Sequence, residues 1–180
     1  MDDVRLAEPG LEYRDDIAAF RAEAMADAAH IPGGSGLESF EDPAAWIDHC
    51  RALTDPATLP PGYVAAEEWM LLRGAQNRIL GLVNIRLSID DDYLREYGGH
   101  IGYGVRPSER RKGYASQMLA LALERCRELG IDKALVTCDK DNVASAKTIL
   151  KNGGLLGDEY AEDNGNIIQR YWITLKEGMR

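Results

Sequence analysis

The segment Arg106-Pro107-Ser108-Glu109-Arg110-Arg111-Lys112-Gly113-Tyr114-Ala115-Ser116 puts four cations into seven positions of a chain whose formal net charge is -9. It joins a strand-like run, His100 to Val105, to the start of a long helical pattern. The positive end of a helix macrodipole disfavours cations by roughly 0.3–1 kcal/mol each. Arg110, Arg111 and Lys112 at that place therefore point to an anion lying at the helix start. First-turn N–H groups would face it, and Gly113 would let the backbone come close. The three side chains would add charge. The competing reading is a solvated basic turn whose side chains point away from the helix end. Two other phosphate motifs are excluded directly. There is no G-x-x-x-x-G-K-[ST] loop, and Gly102-Tyr103-Gly104 lacks the third glycine of a dinucleotide-binding turn. Gly98, Gly99, Gly102 and Gly104 crowd around the preceding strand. Such a cluster predicts a bulge or the close approach of a ligand.

These residues must be held by a larger frame. At 180 residues the chain is predicted to be a single domain, 1–180, able to bury a core without disulfides or metal. Its 45% hydrophobic residues exclude disorder, and no apolar run reaches the ~20 residues of a membrane span. The start Met1-Asp2-Asp3-Val4-Arg5 shows no secretion signal. The acidic balance argues against nucleic acid as a partner and is compatible with cationic amines. Cys50, Cys126 and Cys138 are odd in number and form no C-x-x-C, which predicts reduced, packed thiols and a cytoplasmic location. His30, His49 and His100 show no metal-ligand spacing, so no metal site is expected.

Periodicity predicts a strand at Val4–Ala7 and a helix over Leu11–Ala28. A breaking loop at Ile31–Gly36 follows, then a second helix that starts at Asp42-Pro43. After an irregular stretch with Pro56, Pro60, Pro61 and Gly62, Trp69–Leu72 and Ile79–Leu87 read as strands around the turn Arg73–Asn77. His100–Val105 is a third strand, after the acidic connection Asp90–Asp92. Ala115, Met118, Leu119, Ala122, Cys126 and Leu129 trace one face of a helix that Gly130 ends. Ala134–Cys138 is a buried strand, Val143–Asn152 a helix, and Leu155–Tyr160 pairs with Ile167–Leu175 as a hairpin. The order β-α-α-β-β-β-α-β-α-β-β is a mixed α/β layered fold.

Arg110-x-x-Gly113-x-Ala115, after a strand and opening a helix, resembles the acyl-coenzyme A motif of the GNAT (GCN5-related N-acetyltransferase) superfamily. Ile101-Gly102-Tyr103-Gly104-Val105-Arg106-Pro107 resembles that family's fourth strand and turn. Asp141-Asn142-Val143-Ala144-Ser145 and Gly153-Gly154 resemble its later strand-to-helix segment. The similarity covers about residues 65–175, and the Asn-x-x-Ser form is nearest to the branch like ribosomal-protein N-terminal acetyltransferases.

The resemblance implies a mostly antiparallel central sheet flanked by helices, with acetyl-CoA as co-substrate and direct transfer of the acetyl group to a primary amine. By position, Arg110, Arg111, Lys112, Gly113, Tyr114, Ala115 and Ser116 would hold the pyrophosphate. Tyr103 and Val105 would lend backbone groups to the pantetheine arm, with Asn142 and Ser145 on its far side. Asn142 also reads simply as a helix cap. His100 is the first candidate for the base and Glu96 the second; His100 facing the other way and only packing is the competing reading. Ile149 stands where many members carry a tyrosine acid, and Gly154 where an aromatic residue is usual. That departure favours a second function class, a coenzyme A-binding sensor without catalysis; a third is an unrelated anion-binding module. The acceptor is a small-molecule amine or a protein N-terminus, and pairing through a sheet edge into a homodimer is expected.

Overall fold

The computed structural model describes residues 3–59, 61–74 and 77–175. Pro60 of the irregular stretch and Ala75 and Gln76 of the turn Arg73–Asn77 lie outside the described residues, as do Met1 and Asp2.

Strand β1 (Val4–Ala7) leads into helices α1 (Arg14–Asp27) and α2 (Pro43–Ala52). Strands β2 (Ala66–Arg73), β3 (Ile79–Arg86) and β4 (Ile101–Val105) follow. Then come α3 (Tyr114–Glu128), β5 (Lys133–Asp139), α4 (Val143–Lys151), β6 (Leu155–Ala161) and β7 (Ile167–Thr174). The element order and the mixed α/β class match the sequence reading, and all ladders are antiparallel.

Local differences have local causes. Leu11–Tyr13 form one tighter turn, so α1 begins at Arg14. β2 begins at Ala66 rather than Trp69, because Glu67 and Glu68 interrupt the apolar signal although both belong to the strand. A wide helical turn, Leu94–Gly98, occupies the stretch before β4. Asp91 starts it by accepting a hydrogen bond from the Leu94 N–H at 3.2 Å.

β3 is buried almost along its whole length, because both faces of the sheet are covered. Its alternation, shifted by one residue at a bulge at Leu80 where Leu71 pairs with Gly81 and Leu72 with Ile79, decides which residue meets which layer. On one face Met70, Leu72 and Leu82 pack with Ile17, Phe20, Trp46 and Ile47 of α1 and α2. On the other, Leu71, Leu80, Val83 and Ile85 pack with Met118, Leu119 and Ala122 of α3 and with Ile149 of α4.

The strands form two ladders, β1-β2-β3-β4 and β5-β7-β6. They touch at one end of β4. His100 N–H donates to Leu135 O at 2.8 Å, and Leu135 N–H donates to His100 Nδ1 at 2.9 Å. Beyond that junction no ladder joins β4 to β5.

The glycines of β4 receive the chain itself. A Cβ on Gly104 would stand 2.5 Å from Pro32 O, and one on Gly33 2.6 Å from Gly102 O. The loop after α1 thus lies directly on β4, which replaces the sequence expectation that a ligand makes that approach. Gly104→Ala must push backbone against backbone. It is expected to lower stability by about 1–3 kcal/mol in denaturant unfolding; an unchanged midpoint would show that the loop does not bear on the strand.

Candidate active site

The turn before α3 is pinned by carboxylates that come from elsewhere in the chain. Buried Arg106 donates to Glu23 at 2.7 Å and to both oxygens of Asp16 at 3.1 Å, all on α1. Glu23 also accepts the Ser108 N–H at 2.7 Å. Burial alone would raise the Glu23 carboxyl, but Arg106 and Ser108 overcome it and hold it at about 2. Glu109 is buried and receives Arg73 at 2.9 Å, Arg78 at 3.1 Å and Lys112 at 2.9 Å. Arg110 reaches Asp27 at 2.8 Å and Val105 O at 3.4 Å.

Three of the four cations therefore have carboxylate partners. Among the described residues Arg111 has no hydrogen bond or ion pair, and its backbone is left-handed, with φ of 62°. Uncompensated positive charge therefore stands on Arg111 and not on the whole cluster.

The start of α3 is bare. Gly113, with φ of 88°, stands at the cap and offers no side chain. By contrast Asp42 caps α2 and Asn142 caps α4, the latter accepting the Ser145 N–H at 3.1 Å. The first-turn N–H groups of α3 are left to face an anion.

They open into a cleft of about 420 Å³ between β4, the start of α3 and α4. Every residue assigned from sequence to the coenzyme lines it except Lys112, whose ammonium is turned onto Glu109 and Ser108 O. Ala144 and Thr148 line it too; Thr148 lies one helical turn beyond Ser145, a spacing that would have found it. Tyr114 contributes backbone, since its ring is in the core and its hydroxyl accepts from Arg73 at 2.8 Å. Ser116 Oγ accepts from Asn152 at 3.3 Å.

On β4, the Arg86 N–H donates to His100 O and the Arg106 N–H to Leu80 O, both at 2.8 Å. In the antiparallel alternation this directs Gly102 and Gly104 toward β3. The backbone groups of Tyr103 and Val105 are thereby turned to the open side. The Tyr103 hydroxyl meets Ser145 Oγ at 2.9 Å, and burial pushes the phenol up to about 12, so it stays protonated.

Residues 5–154 match the Acetyltransferase (GNAT) domain. The chain belongs to the GNAT acetyltransferase family. No curated protein matches in sequence. Solved structures share the fold at low identity. One is yncA, a putative acetyltransferase from Salmonella typhimurium with its cofactor acetyl-CoA, at 14% identity, over 99% of this chain and 96% of that one, with a TM-score of 0.65. Another is the microcin C7 self immunity acetyltransferase MccE in complex with acetyl-CoA and AMP, at 16%, over 97% and 93%, with 0.69. A third is an acetyltransferase from Salmonella typhimurium that modifies the N-terminal serine of a 50S ribosomal subunit protein, at 16%, over 96% and 95%, with 0.67. As a GNAT acetyltransferase, the protein uses acetyl-CoA as its co-substrate.

The two departures from the GNAT pattern fit one another. Ile149 is fully buried in the core, and a Cβ on Gly154 would stand 2.5 Å from Ile149 Cγ2. An aromatic residue at 154 has no room beside that isoleucine.

His100 is placed where a base would be ineffective. It is 7% exposed, lines neither this cleft nor the larger cavity described next, and its Nδ1 is already the acceptor for Leu135 N–H. Burial, with Arg86 adding repulsion, pushes it down to about 4. Its task is to join the two ladders in the neutral form. Glu96, the second candidate, lies half-buried on the turn Leu94–Gly98 and lines neither cavity.

A larger cavity, about 610 Å³, lies on the α1–α2 side and was not anticipated. Phe40, Tyr63 and Tyr93 give it an aromatic lining, while Ser35, Ser39, His49, Asn84, Arg86 and Asp91 are its polar groups. Arg86 donates to Gly98 O at 3.0 Å and Gly99 O at 3.1 Å, which ties the turn before β4 to β3.

The His100 shift carries a stability consequence. Its folded-state pKa of about 4 lies below the ordinary 6.5, so the unfolded chain binds the proton first and stability falls as pH drops through that window. His100→Gln is expected to flatten this decline in denaturant midpoints between those two pH values; a slope like the wild type's would remove the junction role.

Proposed function

We propose that the protein transfers an acetyl group from acetyl-CoA to the primary amine of a small molecule or a protein N-terminus held in the larger cavity. One observation carries this reading. A cleft lined by Tyr103, Gly104 and Val105 of β4 ends on the bare start of α3, and a second cavity is lined by Asn84 and Arg86 of β3, the strand paired with β4. The pyrophosphate would rest on the Tyr114, Ala115 and Ser116 N–H groups, with Arg111 and Arg110 adding charge. Lys112 would act through Glu109 by holding the turn in shape. The pantetheine arm would run along Tyr103 and Val105, whose backbone groups face it, and Asn142 and Ser145 would close it from α4. Holding the two reactants at neighbouring strands supplies proximity.

The amine nitrogen attacks the thioester carbon, and a β4 N–H steadies the negative oxygen. Ser145, held by Tyr103, supplies the proton to the departing sulfur, which answers the loss of a hydroxyl at Ile149. The aromatic lining and Asp91 suit a cationic amine before it is deprotonated. The solved structure that modifies an N-terminal serine supports a peptide N-terminus as one acceptor class. The exposed edge of β6, with Leu155 and Leu156 outward, is where a second copy would pair.

A sensor that binds acetyl-CoA without transfer is the alternative that Ile149 favours. Thiol release from acetyl-CoA with phenethylamine, spermidine and an N-terminal-serine peptide separates the two: an enzyme accelerates it with at least one, a sensor with none. Arg110→Ala with Arg111→Ala is expected to weaken acetyl-CoA binding in calorimetry by about tenfold or more, and Lys112→Ala by less. Equal affinity in the double variant would contradict the cradle. Ser145→Ala is expected to lower kcat by about a hundredfold with little change in KM; a wild-type kcat would exclude it as the acid.

A further inference from the structure

Glu68 is a carboxylate in the wrong place for a scaffold. It is 4% exposed on β2, and its Oε1 is buried with no hydrogen-bond partner. Its Oε2 accepts the Ser35 hydroxyl at 2.6 Å. Ser35 Oγ in turn accepts from Asn84 Nδ2 at 3.0 Å. A hydroxyl has one proton and two lone pairs. With the proton on Glu68 and one lone pair on Asn84, the second lone pair of Ser35 is left for the larger cavity, which Ser35 lines. Ser35 is also a non-glycine residue held left-handed, with φ of 47°, a strain that keeps this hydroxyl in place. Asn84 is the register partner of Gly102 on β4 and of Glu68 on β2, so Asn84 sits about one strand spacing from β4 and Glu68 about two. On its other side Glu68 lines a separate cavity of about 280 Å³ with Glu8, Cys50, Arg51 and Thr54.

We propose that Ser35 takes the proton given up by the acceptor amine and passes its own to Glu68, making this pair the base of acetyl transfer. The inference rests on the acetyltransferase reading above. The amine, its ammonium proton already lost to water, forms the C–N bond through its nitrogen lone pair and loses one N–H proton to Ser35 Oγ, as the Ser35 O–H proton moves to Glu68 Oε2. The C–S bond breaks with its electron pair on sulfur, which takes a proton from Ser145. Ser145 is reprotonated from water, and Glu68 discharges through the smaller cavity. No oxidant or further reactant enters.

Burial raises Glu68 to about 8, against the hydrogen bond from Ser35, the nearby Asn84 amide and the charge of Arg86 on β3, which lower it. Cys50 faces it from α2, and its thiol, raised by burial and by Glu68, stays neutral. Glu68 is thus ionised, and able to accept a proton, only as pH rises through that value. The same shift makes the folded protein lose stability as pH rises from about 4.5 through about 8, because the unfolded chain releases this proton first.

The test compares the intact protein with Glu68→Gln and Ser35→Gly. Glutamine keeps the shape and a hydrogen bond to Ser35 but takes no proton; glycine relieves the left-handed strain and removes the hydroxyl. With the fastest of the three amines named above, both variants are expected to lose about a hundredfold in kcat. Both should lose the rising limb of kcat near pH 8, with acetyl-CoA affinity unchanged. Glu68→Gln should also lose the decline in stability between pH 4.5 and 8. A wild-type pH profile in either folded variant overturns the relay and leaves the acetyltransferase intact. If Glu68→Gln fails to fold, Ser35→Gly alone decides. Failure of the wild-type protein to turn over any of the three amines overturns the enzyme reading, and the relay with it.

Discussion

The parting of β4 from β5 is the constraint on which the site depends. Two strands side by side satisfy their backbone groups by pairing, and an unpaired buried N–H or C=O is costly. Here the pairing stops after His100 and Leu135, where an imidazole stands in for one backbone acceptor. Past that point the outward groups of Tyr103 and Val105 face a cleft in place of a neighbouring strand. In the function proposed above, a ligand rich in amides, the pantetheine arm, takes the place of the missing strand.

The phosphate end of the cleft is governed by geometry more than by net charge. Asp16, Glu23, Asp27 and Glu109 draw most of the turn's cations onto themselves. What they create is rigidity: α1 and the turn are locked by a buried guanidinium, so the bare start of α3 is held in one position. An uncapped helix start in a fixed place binds an anion through aligned N–H groups, and a single unpartnered arginine beside it supplies the remaining charge.

The loop after α1 bears on both cavities. It presses on β4 at Gly33 and Gly104, and two residues further on it presents Ser35 to the larger cavity. The same loop therefore sets the position of β4 and of the Ser35 hydroxyl, the two groups proposed to meet the thioester and the amine. Glycine at 104 is required for this contact, because any Cβ there would meet the Pro32 backbone oxygen.

Much of this was written locally. The element order, the start of α3 at Gly113 and the line of residues from Arg110 to Ser116 along the cleft follow from periodicity and from residue types a few positions apart, which one helix or strand places by itself. Partners across the fold were not legible. Lys112 turns to Glu109, His100 to Leu135 and Glu68 to Ser35, and the last two pairs are separated by 35 and 33 positions. Nothing in a local pattern says which buried polar group will meet which. Desolvation makes each such meeting obligatory once the core closes, and only the closed core decides the pairs.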